Sequence, residues 1–514
     1  MKTSTFLFTI LLVAFSSVAF AQAGNLDNTF GNGGIVTTAV GSGNDWANSM
    51  AIQADGKIVV AGFTYNNTDN DFALVRYNTD GTLDNSFGTG GKVITGIGSG
   101  PDYAFSVAIQ TDGKIVAAGY TGNYPDLDYA LVRYNYDGTV DNSFGVDGKV
   151  TIDFNWSEDV AFSMALQPDG KIVAAGYSFD FVTKEDFALI RCNADGSLDN
   201  SFGEDGKVIT DFNSNIDKLQ SVAVQSDGKI VAAGYASFGY EVNFALVRYN
   251  SDGTLDNSFG TSGKLTSDLG SLDSRILSVV IQPDGKIVAA GVSLNGFGLG
   301  LVRCKTDGTL DSTFGANGIV TTPNVNASSV ALQPDGKIVV AGVSINGYVA
   351  DDFALIRYNT DGTLDNTFGE EGIVITTIDS YEDWASSVAI EPDGKIVVAG
   401  NTFNGTDEDF ALARYLSGLN IGIADFSSPQ SSMLIYPNPI QETEILKYTL
   451  TKDEVLDLRL YDVNGKLLKN FFTNESRTSG EHHEELNFGN LVAGNYLLTM
   501  SNGAQQVSVK IVKQ

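Results

Sequence analysis

Apolar and polar residues alternate along most of the chain with the two-residue period of half-buried strands, and Asp-Gly turns cut the alternation into short runs. Residues 162–210 show one unit. "FSMALQ" alternates and ends at "PDG", where Pro presets the first turn torsion and Gly takes the left-handed position. "KIVAAGY" follows, rich in β-branched and small residues, and then "FALIRCN", as apolar as a strand covered on both faces. A second turn at Asp195-Gly196 leads through "SLDNSFGEDGKVIT" into a fourth strand. No capping residue precedes a 3.6-residue apolar period, so no helix is predicted.

This unit recurs. The Asp of the Asp-Gly-Lys turn falls at 55, 112, 169, 227, 284, 335 and 393, in steps of 57, 57, 58, 57, 51 and 58. A period of that size built only from strand signals predicts propeller blades rather than a helical solenoid. The strands are labelled A ("SVAIQ"-like), B ("KIVAAGY"-like), C ("FALVRYN"-like) and D ("GKVIT"-like). Each occurs seven times, but the first D strand, Gly33 to Thr38, precedes any A strand, and the last C strand, Phe410 to Tyr415, has no D strand after it. The N-terminal D strand therefore completes the last blade and hides two unpaired sheet edges. Ala174, Ala175 and Gly176 let a neighbouring sheet come close near the crowded centre, while Phe187, Leu189 and Phe202 fill the wider outer gaps.

The elements "PDGKIVAAG" (168–176) and "LDNSFG" (198–203), recurring over residues 26–415, resemble the delta-60 repeat family. The resemblance covers about three quarters of the chain. It implies a propeller-like fold and no common activity.

After Tyr415 the pattern stops, and residues 416–432 read as a Ser-, Gly- and Pro-containing linker. "MLIYPNPI" (433–440), "LDLRLYDVNGKLLKNF" (456–471), "LNFGNLVAGNYLLTM" (486–500) and "QVSVKIVKQ" (506–514) then alternate strongly, predicting a small β-sandwich. Tyr436-Pro437-Asn438-Pro439, the turn containing Gly465, Gly494 and Tyr496 in "LVAGNYLLTM", and the basic "KIVK" resemble the type A C-terminal sorting domain of the type IX secretion system of Bacteroidota. The resemblance implies passage through the outer membrane by that machinery, with the domain then removed or used for attachment. A carbohydrate-binding or propeller-capping sandwich is the alternative for this segment. At the other end, Lys2, an apolar run from Phe6 to Phe15 and Ala19-Phe20-Ala21 read as a signal peptide over 1–21. The predicted organisation is all-β: signal peptide 1–21, a seven-bladed β-propeller of four-stranded antiparallel blades at 22–415, linker 416–432 and a β-sandwich at 433–514. The mature protein is expected outside the cell, on its surface or released.

Charge narrows the partners. The 514-residue chain carries a formal net charge of −31, with a sequence pI near 4.2. Such a surface disfavours nucleic acid and anionic membrane, and suits a soluble extracellular protein or one that attracts cations. No later segment has 18 unbroken apolar residues, so no transmembrane segment is expected. Cys192 and Cys304 stand where Tyr77, Tyr134, Tyr249, Tyr358 and Tyr415 stand in other repeats, and read as small buried thiols.

Candidate chemistry lies on one face. A–B and C–D turns are uniform Asp-Gly, whereas the B–C and D–A loops vary in length and content. Binding tends to reside in loops held on a rigid scaffold. Asp45, Asp102, Asp159, Asp217 and Asp383 precede A strands and would ring one mouth of the channel. Asp71, Asp128, Asp186, Asp352 and Asp409 precede C strands. Oxygen-rich groups suit Ca²⁺, but the local D-x-D-x-D-G loop with a distal Glu is missing, which favours Asp residues that cap strand ends through their own backbone. Trp46, Tyr103, Trp156, Tyr240 and Trp384 lie in or beside these loops, and aromatic faces flanked by Asp and Asn suit sugars, the alternative being inter-blade packing. Arg76, Arg133, Arg191, Arg248, Arg303, Arg357 and Arg414 recur once per unit within an apolar strand and predict structural ion pairs, Arg76 with Asp84 for example. His482 and His483 are the only histidines, so the propeller holds no His-based triad or metal site. These features predict no catalytic residue and no cofactor apart from the calcium option. They point to a non-catalytic binding or scaffold module for an extracellular glycan or protein. The alternatives are a glycan-processing enzyme using loop-face carboxylates and a purely structural surface protein.

Overall fold

The computed structural model describes residues 22–418 and 433–513, apart from 155–156, 213–215, 269–271, 294–297, 346–350, 437–442, 451, 463–466, 490, 492–493 and 503–505. The predicted signal peptide, residues 419–432 of the predicted linker, Trp156, Pro437, Asn438, Pro439 and Gly465 lie outside the described residues. Among the described residues there is no helix, hence none long and apolar enough to cross a membrane. The chain divides into two compact units between Gly418 and Leu419.

The first unit is seven antiparallel four-stranded sheets. Six are continuous in sequence: blades 1 to 6 span 45–95, 102–152, 159–210, 217–267, 275–323 and 325–376. Blade 7 takes its A, B and C strands from 383–415 and its D strand from Ile35–Thr38, which pairs with Phe410–Ala413. The N-terminal strand thus closes the ring, as the offset count predicts. The contact runs beyond the strand: Leu26 bridges Tyr415, and Asp27 takes the place in blade 7 that Asp84 takes in blade 1.

A strands neighbour one another around the centre. Each carries a bulge after its third residue except in blade 5, where the strand starts one residue later. The bulge accounts for the Gly of "AAG", and contact between blades accounts for its two Ala. A Cβ on Gly176 would lie 1.8 Å from the Val160 carbonyl oxygen in its own sheet, and one on Gly62 would lie 1.7 Å from that of Trp46. The flanking Ala174 and Ala175 are buried between blades, and Phe187, Leu189 and Phe202 fill the gap between blades 3 and 4.

The bulge also aims a serine at the next blade. Ser49 Oγ accepts the Val107 N–H, Ser106 that of Met164, Ser163 that of Val222, Ser221 that of Val279, Ser278 that of Val330, Ser329 that of Val388, and Ser387 that of Met50, all at 3.1–3.2 Å. The last bond returns from blade 7 to blade 1 and completes a belt around the centre.

The C-strand tyrosines reach back one blade. Tyr77, Tyr249 and Tyr415 donate to Thr38, Thr210 and Thr376 of the preceding D strand at 2.8–2.9 Å. In blade 3 that D-strand position is Ile152 and the tyrosine is Cys192. The space goes instead to Tyr129, whose hydroxyl donates to the Ala188 carbonyl at 2.9 Å. Cys192 and Cys304 are free and buried, and burial pushes both thiols up to about 12.

The second unit packs two sheets. Met433–Tyr436, Thr443–Leu450 and Gly480–Asn487 form one; Leu467–Arg477, Glu454–Asp462, Gly494–Ser501 and Gln506–Lys513 form the other. Leu446, Tyr448 and Leu486 of the first meet Leu458, Leu460, Leu498 and Ile511 of the second in one core. Tyr436 pairs with Ile445, Gly494 opens a strand, and Tyr496 is buried in that core.

Candidate functional site

The uniform face is built from one contact set repeated seven times. Each arginine near the end of a C strand is at least nine-tenths buried and stacks over the Phe of an "SFG" or "TFG", the following one in blades 1 to 6 and Phe30 of the N-terminal segment in blade 7, 4.4–4.8 Å from the ring centroid. Its Nε donates to the Asp of the "LD" pair (Val140-Asp141 in blade 2): Arg76 to Asp84 at 2.8 Å, Arg248 to Asp256 at 2.7 Å, and Arg414 to Asp27 at 2.9 Å. Its Nη1 donates to a backbone carbonyl beyond its own blade. For Arg76 this is Tyr136, for Arg133 Ala194, for Arg191 Ser251, for Arg248 Thr306, for Arg303 Thr360, for Arg357 Ser417, and for Arg414 Thr79. The lysine of each Asp-Gly-Lys turn joins the same carboxylate, as Lys229 does with Asp256 at 2.9 Å. Burial opposes ionisation of these Asp residues. Hydrogen bonds from Ser258 and Lys229, with Arg248 alongside, nevertheless hold Asp256 well below the usual carboxylate range, and the counterpart Asp311 sits at about 2. All seven arginines are thus engaged in fixing blades to one another.

On the opposite face, the two acidic sets meet. Asp45, Asp102, Asp159, Asp217 and Asp383 are fully buried at the first position of their A strands. Oδ2 of each accepts the backbone N–H five residues earlier, from Val40, Ile97, Phe154, Phe212 and Ile378, at 2.5–2.7 Å, which closes the D–A loop. Each also lies within electrostatic reach of the Asp that precedes a C strand in the preceding blade: Asp409, Asp71, Asp128, Asp186 and Asp352 respectively. The pairs sit in blade junctions, so the five A-strand residues do not form one cluster. Thr64 donates to Asp45, and Thr402 donates to Asp383 at 2.5 Å. Two junctions add a third carboxylate: Asp128, Asp153 and Asp159 each place an oxygen within 4.8 Å of the others, and so do Asp186, Asp211 and Asp217. Burial first, and the neighbouring carboxylates second, push Asp159 and Asp217 up to about 7. Spacing could not reveal this meeting, because its members belong to different repeats.

The aromatic residues of this face are also arranged across blades. Trp46 and Tyr103 are the second residues of successive A strands, opposite Phe63 and Tyr120. Rings follow one another from Trp46 to Phe63 (6.3 Å between centroids), Tyr103 (4.8 Å), Tyr120 (4.8 Å), Phe105 (5.8 Å), Phe162 (5.2 Å) and Tyr177 (5.8 Å). All but Tyr177 are partly accessible. Phe63, Phe105, Tyr120, Phe162 and Tyr177 escaped the sequence reading because each looks like an ordinary strand residue. Trp384 in blade 7 is 41 % exposed, and Tyr240 at a B–C loop tip projects fully into solvent. The matching A-strand position in blades 4 and 5 is cationic: Lys218 lies 4.1 Å over Tyr177, and Arg275 lies 5.0 Å over Tyr235.

Seven sheets, two inter-blade belts and a closing first strand define a closed seven-bladed β-propeller with a separate β-sandwich. Seven segments of the chain match the family described as "Domain of unknown function (DUF5122) beta-propeller", at 53–87, 110–144, 167–202, 225–259, 282–314, 333–368 and 391–420. Residues 434–514 match the secretion system C-terminal sorting domain, which marks the chain for the type IX machinery and for export to the cell surface or beyond. No curated protein matches. Similar solved structures include Chaetomium thermophilum Sqt1 bound to the N-terminus of ribosomal protein L10 (12% identity, 71% of this chain and 86% of that chain, TM-score 0.41). A Dyadobacter fermentans protein of unknown function (12%, 74% and 99%, 0.39) and the polysaccharide lyase Uly1 (13%, 78% and 94%, 0.42) are others.

Proposed function

We propose that this exported propeller is a non-catalytic binding module for an extracellular glycan, engaged through the face of B–C and D–A loops. The observation that carries the reading is the run of rings from Trp46 to Phe162, most of them partly accessible, at the end of blades 1 to 3 where the loops vary. Flat apolar ring faces beside polar edges match the apolar faces and hydroxyl rims of pyranose rings. Asn70 Nδ2 donates to the Tyr103 hydroxyl at 3.0 Å, so a polar group already borders the run. The C-terminal domain supplies delivery, and the propeller supplies recognition.

A glycan array probed with the purified propeller, residues 22–418, tests this. Selective retention of a glycan class is expected, lost in Trp46→Ala and Tyr103→Ala at unchanged melting temperature. Retention that survives both changes removes the aromatic run from the site, and turnover of a bound glycan makes the protein an enzyme. For delivery, cells expressing a chain that lacks 433–514 should retain the propeller inside. Wild-type amounts in the medium or at the surface would sink the sorting role.

A further inference from the structure

The blade junctions differ from one another in a way that points to a ligand. Where blade 7 meets blade 1, the A-strand Asp45 receives a hydroxyl hydrogen bond from Thr64, and the residue at the start of the D–A loop is Ala39. Where blade 6 meets blade 7, Asp383 receives Thr402, and the loop residue is Thr377. Both junctions have two carboxylates and one donor that answers them. Where blade 3 meets blade 4, the loop residue is Asp211 and the hydroxyl has become Ala236, the strand partner of Asp217. A negative group has been added and a donor removed at one place. Where blade 2 meets blade 3, the loop residue is Asp153, and Ser178 stands opposite Asp159 where the first two junctions have Thr64 and Thr402.

The oxygens left over are buried. Asp159 and Asp217 are 0 % exposed and Asp186 is 3 % exposed, and Oδ1 of each has no hydrogen-bond donor; Oδ1 of Asp128 lacks one too. Packing ionised carboxylates together out of water is costly unless a positive charge joins them. A lysine stands at each triad, Lys207 Nζ donating to the backbone carbonyl of Asp153 at 2.7 Å and Lys264 Nζ to that of Asp211 at 2.6 Å. Lys92 and Lys149 make the same bond to Ala39 and Gly96 where the third carboxylate is missing, so that carboxylate comes with no added lysine. Within one propeller, then, five junctions share a corner of acidic residues; Asp102, between blades 1 and 2, also keeps an unanswered Oδ1, but only the Asp159 and Asp217 junctions join such oxygens to a third carboxylate.

We propose that each triad, Asp128–Asp153–Asp159 and Asp186–Asp211–Asp217, binds one Ca²⁺ ion across its blade junction. An all-oxygen, carboxylate-rich set is the donor chemistry of a hard divalent cation, and the remaining positions of a six- to eight-coordinate Ca²⁺ go to water or to second carboxylate oxygens. Such ions would staple the D–A loops of blades 3 and 4 to the C strands of blades 2 and 3. The site needs no contiguous calcium loop, because its three ligands come from two separate segments, two from a D–A loop and the start of the A strand it enters, and one from the C strand of the preceding blade.

The test uses the full chain, stripped with EDTA and titrated with CaCl₂ at about pH 8. Asp153→Gly and Asp211→Thr install the residues that other junctions carry (Gly96 and Thr377), so both variants are expected to fold. Wild-type protein should take up two more ions than the double variant, one per triad, and each single variant one more. Calcium should raise the melting temperature of the wild type by several degrees and leave the double variant unmoved. In EDTA the order reverses, with the double variant melting higher because its carboxylates no longer repel. Equal uptake by wild type and double variant overturns the proposal, and a larger shift with MgCl₂ than with CaCl₂ overturns the choice of ion.

Discussion

The two faces of the propeller come from the same seven repeats but treat them differently. On the face of Asp-Gly turns, every arginine makes the same stack, carboxylate bond and inter-blade carbonyl bond. On the other face, the residue after the first A-strand position is Trp46, Tyr103, Val160, Lys218, Arg275, Asn326 and Trp384 in turn. Uniformity on one side is what allows variety on the other. The arginine belt and the serine belt hold blade to blade through groups that lie away from the loop tips, so loop chemistry can change without disturbing the ring.

The comparison can be broken most forcefully at the arginine belt. Arg248→Ala leaves Asp256 buried without its guanidinium, so a loss of about 3–5 kcal/mol is expected, seen as a large drop in melting temperature with glycan retention unchanged below it. An unaltered melting curve would refute the structural role. Gly176→Ala comes next. Its Cβ would meet the Val160 carbonyl at 1.8 Å, and forcing the bulge apart should cost about 1–3 kcal/mol in denaturant titration. Ser163→Ala leaves the buried Val222 N–H unanswered, for about 1–2 kcal/mol; a neutral result would show that the serine belt follows closure rather than supporting it.

A pH series separates the faces in another way. Asp159 and Asp217 have raised values, so their favourable contribution is complete below 3.8 and is lost as pH rises through about 7. In EDTA, the melting temperature should therefore fall between about pH 4 and 7, and Asp217→Asn should flatten that fall. The belt carboxylates have depressed values, so their contribution is present above 3.8 and disappears as pH drops toward about 2, the value for Asp311. A curve without both flanks would mean the buried and paired carboxylates are not distinct. The smallest effect belongs to the exposed tip: Tyr240→Ala should change stability by less than about 0.5 kcal/mol.

Much of the fold was legible because the determinants are local and repeated. Asp-Gly turns fix hairpins, alternation fixes strands, and the unpaired D strand at Ile35 and Val36 fixes closure. Arg76 was traceable to Asp84 because both lie in one repeat. What stayed hidden depends on neighbours in the ring rather than in the chain. Ser163 looks like any polar residue of an alternating strand until the bulge aims it at Val222. Gly176 seemed to serve the approach of another blade, yet its closest threat is a carbonyl in its own sheet. Asp128 and Asp159 sit in adjacent repeats and meet only when blades pack, which is why two acidic sets were visible and their pairing was not.

The strand that seals the wheel is the chain's own beginning, so the order of synthesis and the order of assembly differ. Residues near Asp27 and Ile35 must wait unmatched until the segment ending at Tyr415 exists, several hundred residues later. A permuted gene that starts at residue 39 and carries 22–38 after 418 would keep the pairing while removing that wait. Its refolding rate, set against that of the natural order, would show how much of the folding time is spent on bringing the two ends together.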